Sequence, residues 1–436
     1  MIIVDTALKA RHEAGNPLKV GMVGAGAMGW GIATQIVNFT LGMELVAVSS
    51  RTLKSARKAY AEAGIDDPIE VKTLFQLEDA IRRGKPAVTE NASLLCQAEG
   101  IDIIAEVTGT IEFAAGVVLE AINHQKPVVM MNAELDGTIG PILKHYADRQ
   151  GVILSGCEGD QPGVEMNLYR FVKTLGLQPL VCGNVKGMLD PYRTPATQAE
   201  FAKRWNQTPH MVTSFADGTK IAFEQAIVAN ATGMVVAQRG MIGHSVKHVD
   251  ELVNVYDVDQ LKRLGGIVDY VLGAEPGPGV YVIGYTEDPT QRHYFQYLKR
   301  GEGPLYSFYT PYHLCCVEFP ISIARVGLLN DPVIAPIAGP VVDVITTAKR
   351  DLEAGETLDG IGHYMTYGQC ENSDVVRKKR LLPMGLSEGC RLKRAIPKDQ
   401  VLTYDDVELP EGQLCHKLRA EQDAIFAPQR QLATVG

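Results

Sequence analysis

From residue 18 onward the chain alternates short apolar runs with stretches whose apolar residues recur at helical spacing. The run "LKVGMVG" predicts a strand that passes into a helix with apolar positions at Met28, Ile32, Ile36 and Phe39. A second strand, "ELVAVSS", follows. The alternation continues as a strand at 101–107, a helix at 111–124, a strand at 127–132, a helix at 139–150 and a strand at 151–156. Strands alternating with helices predict a parallel, doubly wound sheet. Beyond it the pattern changes. Residues 182–210 are polar and irregular, broken by Pro191, Pro195 and Pro209, with one amphipathic helix at 197–206. A helix is expected at 219–232, and "HYFQYLK" and "YSFYTPYHLCCVEF" read as aromatic-rich strands packing an interface between domains. Near the end, "AKRDLEAGETLDG" (348–360) is echoed by "LKRAIPKDQVLTYDD" (392–406), a repeat of about 44 residues that predicts a small duplicated β-unit.

The length of 436 residues demands more than one core. The expected architecture is α/β in three domains. A doubly wound (Rossmann) parallel sheet spans 1–156, an α+β catalytic and dimerisation domain 157–344, and a small β-rich domain 345–436. A net charge of −9 argues against a nucleic-acid partner. Eight cysteines without metal-like spacing fit reduced thiols in a cytoplasm. His244 and His248 have i, i+4 spacing but no glutamate between them, which argues against zinc. The uncharged stretch from Val20 to Met43 is interrupted by glycines, Gln35 and Asn38, so no membrane span or membrane partner is expected. A homodimer or higher homo-oligomer is.

The first strand-to-helix turn holds Gly24-x-Gly26-x-x-Gly29. In a dinucleotide site the first glycine makes the tight turn, the second admits the pyrophosphate and the third lets helix and strand pack. Gly24, Gly26, Ala27, Met28 and Gly29 are therefore cofactor candidates, with the pyrophosphate on the helix N-terminus. The second strand ends in Ser49, Ser50 and Arg51 where an NAD site usually has a carboxylate, so NADPH is expected. Thr108, Gly109 and Asn132, at strand ends, are candidates for the nicotinamide pocket. Ordinary turn chemistry also accounts for Thr108 and Gly109.

Glu158 and Asp160 put two carboxylates at the next strand end, suited to acid–base work or to a divalent cation. Helix capping explains Asp160 equally well. Four cations in the polar stretch, Lys186, Arg193, Lys203 and Arg204, suit a phosphorylated substrate, and a solvated loop is the plainer alternative.

The first third resembles homoserine dehydrogenases. In them the strand equivalent to "VVMMNAEL" ends in Ala-Asn-Lys with a catalytic lysine. Here Asn132 is followed by Ala133. With that lysine absent, Lys186 is the best replacement, partnered by Glu158, Asp160 and Asp190. Residues 345–412 resemble the SAF domain of sialic acid synthases and altronate dehydratases. Together with "TPYHLCCVEFP" and the missing lysine, the chain resembles the 1-deoxy-D-xylulose 5-phosphate reductoisomerase-like enzymes of isoprenoid precursor synthesis, in the methylerythritol phosphate pathway. That resemblance implies NADPH, a Mg²⁺ or Mn²⁺ ion held at Glu158 and Asp160, and a small phosphorylated sugar clamped by Lys186, Arg193, Lys203 and Arg204. Two alternatives are an NADP-dependent homoserine-dehydrogenase-like enzyme for another small aldehyde or hydroxy acid, and a non-catalytic NADPH-binding sensor with a sugar-binding SAF domain.

Overall fold

The structure is a computed structural model and describes residues 4–427. Its first body is a seven-stranded parallel sheet: β1 (Leu18–Val23), β2 (Met43–Ser49), β3 (Ile69–Glu70), β4 (Ala87–Thr89), β5 (Ile103–Glu106), β6 (Val128–Met130) and β7 (Leu154–Gly156). The spatial order is β3-β4-β2-β1-β5-β6-β7. This is the expected doubly wound α/β sheet. The order reverses between β1 and β5, which pair directly, Val20 opposite Ile103 and Val23 opposite Glu106. Helices leave this junction to opposite faces, so a crevice opens at the carboxyl ends of the two strands.

The helix expected at 139–150 starts six residues earlier, as Ala133–Gln150. Asn132 Oδ1 accepts the Leu135 amide at 3.1 Å and so caps it. Glu134 and Asp136 in the first turn favour its positive end. Gly137, Gly140 and Pro141 obscure its helical character in the sequence.

The second body is a five-stranded mixed sheet of β8 (Gln178–Lys186), β9 (His244–Ser245), β10 (Ile267–Leu272), β11 (Gly279–Tyr285) and β12 (Leu305–Thr310), in the order β12-β11-β8-β10-β9. Helices Gln161–Thr174 and Thr219–Thr232 pack on it; the second is buried on nearly every side. The segment "HYFQYLK" is not a strand. It lies in the helix Pro289–Tyr297, which Asp288 caps by accepting the Gln291 amide at 2.7 Å. No residue of that helix is fully buried: Tyr294 and Tyr297 face outward, while the half-buried Phe295 packs on Tyr306 of β12, ring centroids 4.6 Å apart. "YSFYTPYHLCCVEF" divides into β12 and the start of helix Cys315–Leu329.

The third body is the hairpin of β13 (Val342–Ala348) and β14 (Thr366–Asn372), with β15 (Arg391–Leu392) paired to β16 (Val407–Glu408). The two halves of the sequence repeat pair antiparallel at Leu352 and Ile396, with Thr347–Val401 and Thr357–Arg391 bridges at their margins. The last helix, Leu414–Ile425, returns to the first body, where Cys415 and Leu418 join the apolar core of the first sheet. No helix among the described residues is long and apolar enough to cross a membrane.

Candidate active site

The Gly-rich turn builds the first half of the site. A Cβ on Gly24, which sits at φ +110°, would meet the carbonyl of Val107 at 2.7 Å. A Cβ on Gly29 would meet Gly24 O at 2.8 Å, whereas one on Gly26 would meet nothing within 4 Å. The first and third glycines are thus required by packing, and the second leaves room for a ligand. Ala27, Met28 and Gly29 form the first turn of helix Ala27–Phe39. Next to this turn lies a cleft of about 610 Å³, lined by Gly24, Gly26, Ser49, Ser50, Arg51 and Thr108 among the expected residues. Thr52, Ser55, Trp30 and Glu90, which the sequence did not single out, also line it. The residues present fit a dinucleotide: a bare backbone turn at a helix N-terminus, with hydroxyls and a guanidinium at the end of β2.

Thr108 has a second job. Its amide donates to Glu106 Oε1 at 2.9 Å, and its hydroxyl bonds the same oxygen. Glu106 is buried at the end of β5, and burial pushes its carboxyl up from the ordinary glutamate value. Gly109 takes φ +68° in the turn that follows, and Asn132 Nδ2 donates to Thr110 O at 2.8 Å. Asn132 is itself buried, so its visible role is to join this loop to the helix it caps.

The chemical centre forms where the first body meets the second. Lys186, at the end of β8, donates to Gln161 Oε1 at 2.9 Å and stands 3.5 Å from Glu224 Oε2. Its partners are therefore Glu224 and Gln161, rather than Glu158, Asp160 and Asp190. A second lysine, absent from the sequence reading, completes the group: Lys220 Nζ lies 3.7 Å from Glu134 Oε1 and 3.8 Å from Asp160 Oδ2. Burial disfavours its charge, yet Asp160, Glu134 and Glu224 outweigh burial and hold its pKa above the ordinary lysine value. Burial raises the Glu224 carboxyl, against the pull of Lys186 and Lys220. His313 stands at the edge, its Nδ1 3.2 Å from Gly159 O.

The other candidates are placed apart from this group or engaged elsewhere. Glu158 is buried and bonded by Arg325 and Asn167. Asp160 caps helix Gln161–Thr174, accepting the Gln161 amide at 3.2 Å, while its other oxygen faces Lys220. Among the described residues no three or more His, Cys, Asp or Glu gather as metal ligands, and Glu158 and Asp160 are engaged by cations and amides. These residues do not fit the divalent cation that the resemblance implied. Asp190 binds Arg193 Nε at 3.0 Å, and Lys203 and Arg204 are exposed in the last turn of helix Pro195–Arg204.

Lys220 escapes a sequence reading because "DGTKIAFEQA" looks like any helix start. One signal was available. A cation in the first turn opposes the helix dipole, and this helix carries apolar residues on every side, so most of its polar residues are buried too.

Two family models match the chain. Residues 24–137 match the model described as the homoserine dehydrogenase NAD binding domain, and residues 159–319 the model described as the catalytic domain of oxidoreductase DRL. The chain is an oxidoreductase. Its first domain is a nicotinamide-dinucleotide-binding domain of the homoserine dehydrogenase kind. The resemblance to the 1-deoxy-D-xylulose 5-phosphate reductoisomerase-like enzymes is corrected by these matches, which are to an oxidoreductase catalytic domain and a dehydrogenase cofactor domain and give no support to a reductoisomerase. No curated protein is similar enough in sequence to match.

Similar solved structures include a homoserine dehydrogenase from Thiobacillus denitrificans, with 15% identity and a TM-score of 0.44, covering 89% of this chain and 98% of that one. A probable dehydrogenase from Thermotoga maritima has 11% identity and a TM-score of 0.41, covering 72% and 90%. A myo-inositol dehydrogenase from Lactobacillus casei, in complex with NAD(H) and myo-inositol, has 14% identity and a TM-score of 0.37, covering 67% and 74%. At these scores the likenesses decide nothing about the chemistry.

Proposed function

We propose that the protein is an NADPH-dependent oxidoreductase that interconverts a small polar carbonyl compound and its alcohol, with Lys220 and Lys186 as the groups that meet the reacting oxygen. The observation that carries this reading is the convergence of two lysines on partly and fully buried carboxylates beside Asn132–Ala133, at the carboxyl ends of the parallel strands. A bound nicotinamide supplies or accepts the hydride. Lys220, kept charged by three carboxylates, offers a fixed ammonium to an oxygen that gains negative charge as the carbonyl is reduced. Glu224 touches Lys186, and its raised pKa suits it to exchange a proton during the reaction. Largely withdrawn from solvent, the group acts at an effective dielectric below that of water, where each charge counts for more.

For the cofactor, Ser50, Arg51, Thr52 and Ser55 support a 2′-phosphate. Lys203 and Arg204, in the stretch 187–210, stand exposed to solvent and apart from Lys186 and Lys220, so they do not bear on the charge of the substrate. The third body braces that stretch: Lys349 donates to Arg193 O at 2.8 Å, and Tyr192 donates to Asp399 at 2.9 Å.

The test is fluorescence titration with NADPH and NADH, followed by NADPH consumption against small aldehydes, 2-oxo acids and sugar phosphates. The expected result is at least tenfold tighter binding of NADPH and turnover with one of these classes. Failure to bind either nucleotide would overturn the reading.

A further inference from the structure

Behind Lys186 a line of side chains runs from the candidate site into the core. Asn184 Nδ2 donates to Gln161 Oε1 and to Glu224 Oε2, each at 2.8 Å. Gln225 Nε2 donates to Asn184 Oδ1 at 2.8 Å and to Glu165 Oε2 at 2.9 Å. Both hydrogens of both amides are then spent. Two acceptors remain, Glu165 Oε1 and Gln225 Oε1, both buried and both without a donor. They belong to the one bonded pair at the inner end of the line.

A buried acceptor without a donor costs about 1–3 kcal/mol, and a buried carboxylate costs more. Glu165 is wholly buried. Around it stand Gln225 and Glu224 on helix Thr219–Thr232, Cys182 and Lys186 on β8, and Tyr281 on β11, which is bonded through Tyr256 to Asp269 on β10. Lys186 is the one cation of this set, and it is bonded at the other end of the line, to Gln161 and Glu224. One proton on Glu165 supplies the missing donor and removes the unpaired charge.

We propose that Glu165 is carried as the neutral acid, and that through the amides of Gln225 and Asn184 it positions Glu224 and Lys186. Burial raises its carboxyl well above the ordinary value, in agreement with the hydrogen-bond pattern. Glu165 is a positioning residue, remote from the cleft. Its consequence for Lys186 rests on the functional reading above, whereas its protonation does not.

The test uses the full chain labelled with ¹³C-glutamate, as wild type, Glu165→Gln and Glu165→Ala. Infrared difference spectra at neutral pH should show one protonated-acid carbonyl band in the wild type that Glu165→Gln removes. Glu165→Gln should keep the melting temperature within about 2 °C and leave the pH profile of NADPH turnover in place, because a neutral isostere can donate as the acid does. Glu165→Ala should lower the melting temperature by roughly 4–10 °C and reduce kcat more than tenfold at unchanged NADPH affinity. A difference spectrum showing loss of a carboxylate band, or a Glu165→Gln protein that fails to fold, would overturn the proposal. The infrared result stands whether or not the enzyme accepts NADPH, so the two readings fail separately.

Discussion

Lys220 reaches Glu134, the residue that follows Ala133, with Nζ 3.7 Å from Oε1. The ammonium that the strand-end turn lacks is thus delivered to the same neighbourhood from a helix 86 positions further along the chain. That helix ends its first turn against Asp160 and Glu134, and the carboxylates offset both burial and an unfavourable helix dipole. Lysine and acids depend on one another, since removing the lysine leaves acids facing one another.

If Lys220 carries the chemistry, Lys220→Met should reduce kcat by about 10²–10⁴-fold. The affinity for NADPH should stay within a factor of about two, since the Gly-rich cleft is built by other residues. Steady-state kinetics beside nucleotide titration separates the two effects. An equal loss of both would point to misfolding.

Cofactor choice should rest on Arg51. Exchanging it for glutamate places a carboxylate beside Ser50 and Thr52, repels a 2′-phosphate and offers the ribose hydroxyls an acceptor. The expected result is NADPH binding weakened by about 10–100-fold with NADH binding equal or better. Titration of Arg51→Glu with both nucleotides checks this.

Asp136 should set a pH dependence of stability. It is buried, its Oδ1 has no partner, and burial pushes its carboxyl up to about 7. The folded chain therefore holds a proton that the unfolded chain releases near pH 4. The stabilisation is complete below about pH 4 and is lost as pH rises to about 7. Asp136→Asn should raise the melting temperature at pH 8 and leave it little changed at pH 4. Thermal melts at the two pH values decide it, and no gain at pH 8 would count against it.

One buried pair should contribute strongly to the coupling of the third body to the second. Lys349 Nζ donates to Asp217 Oδ2 at 2.8 Å, to Arg193 O at 2.8 Å and to His363 O at 2.9 Å, and both side chains are almost wholly buried. Lys349→Met leaves Asp217 uncompensated and should cost about 3–5 kcal/mol. Denaturant titration measures it, and protease cleavage within 187–218 should become faster.

The first sheet was legible because each of its longer strands and helices repeats one pattern, and because Gly24, Gly26 and Gly29 answer to a backbone requirement that any reader can check. The small repeat near the end was legible too, and the structure adds that its halves pair, Leu352 with Ile396. The aromatic run at 293–299 misled, since Asp288 and Pro289 start a helix that turns Tyr294 and Tyr297 to solvent and only Phe295 inward. The chemical centre was least visible. Lys186 showed itself as a cation at a strand end, but its partner Glu224 lies four residues after Lys220 on a helix that reads as structural. Glu158 drew attention as an acid at a strand end, and its true partner, Arg325, lies on a distant helix. Pairings of this kind are set by packing between bodies, which no local pattern encodes.

The central claim is that Lys220 stands in for the absent turn lysine in an NADPH-dependent reaction. The most direct measurement is single-turnover reduction by NADPH-loaded protein, wild type against Lys220→Met, with the best small carbonyl substrate found. The account predicts nucleotide binding alike in both proteins and a rate in the variant below about 1% of wild type. Equal rates in the two proteins would contradict it.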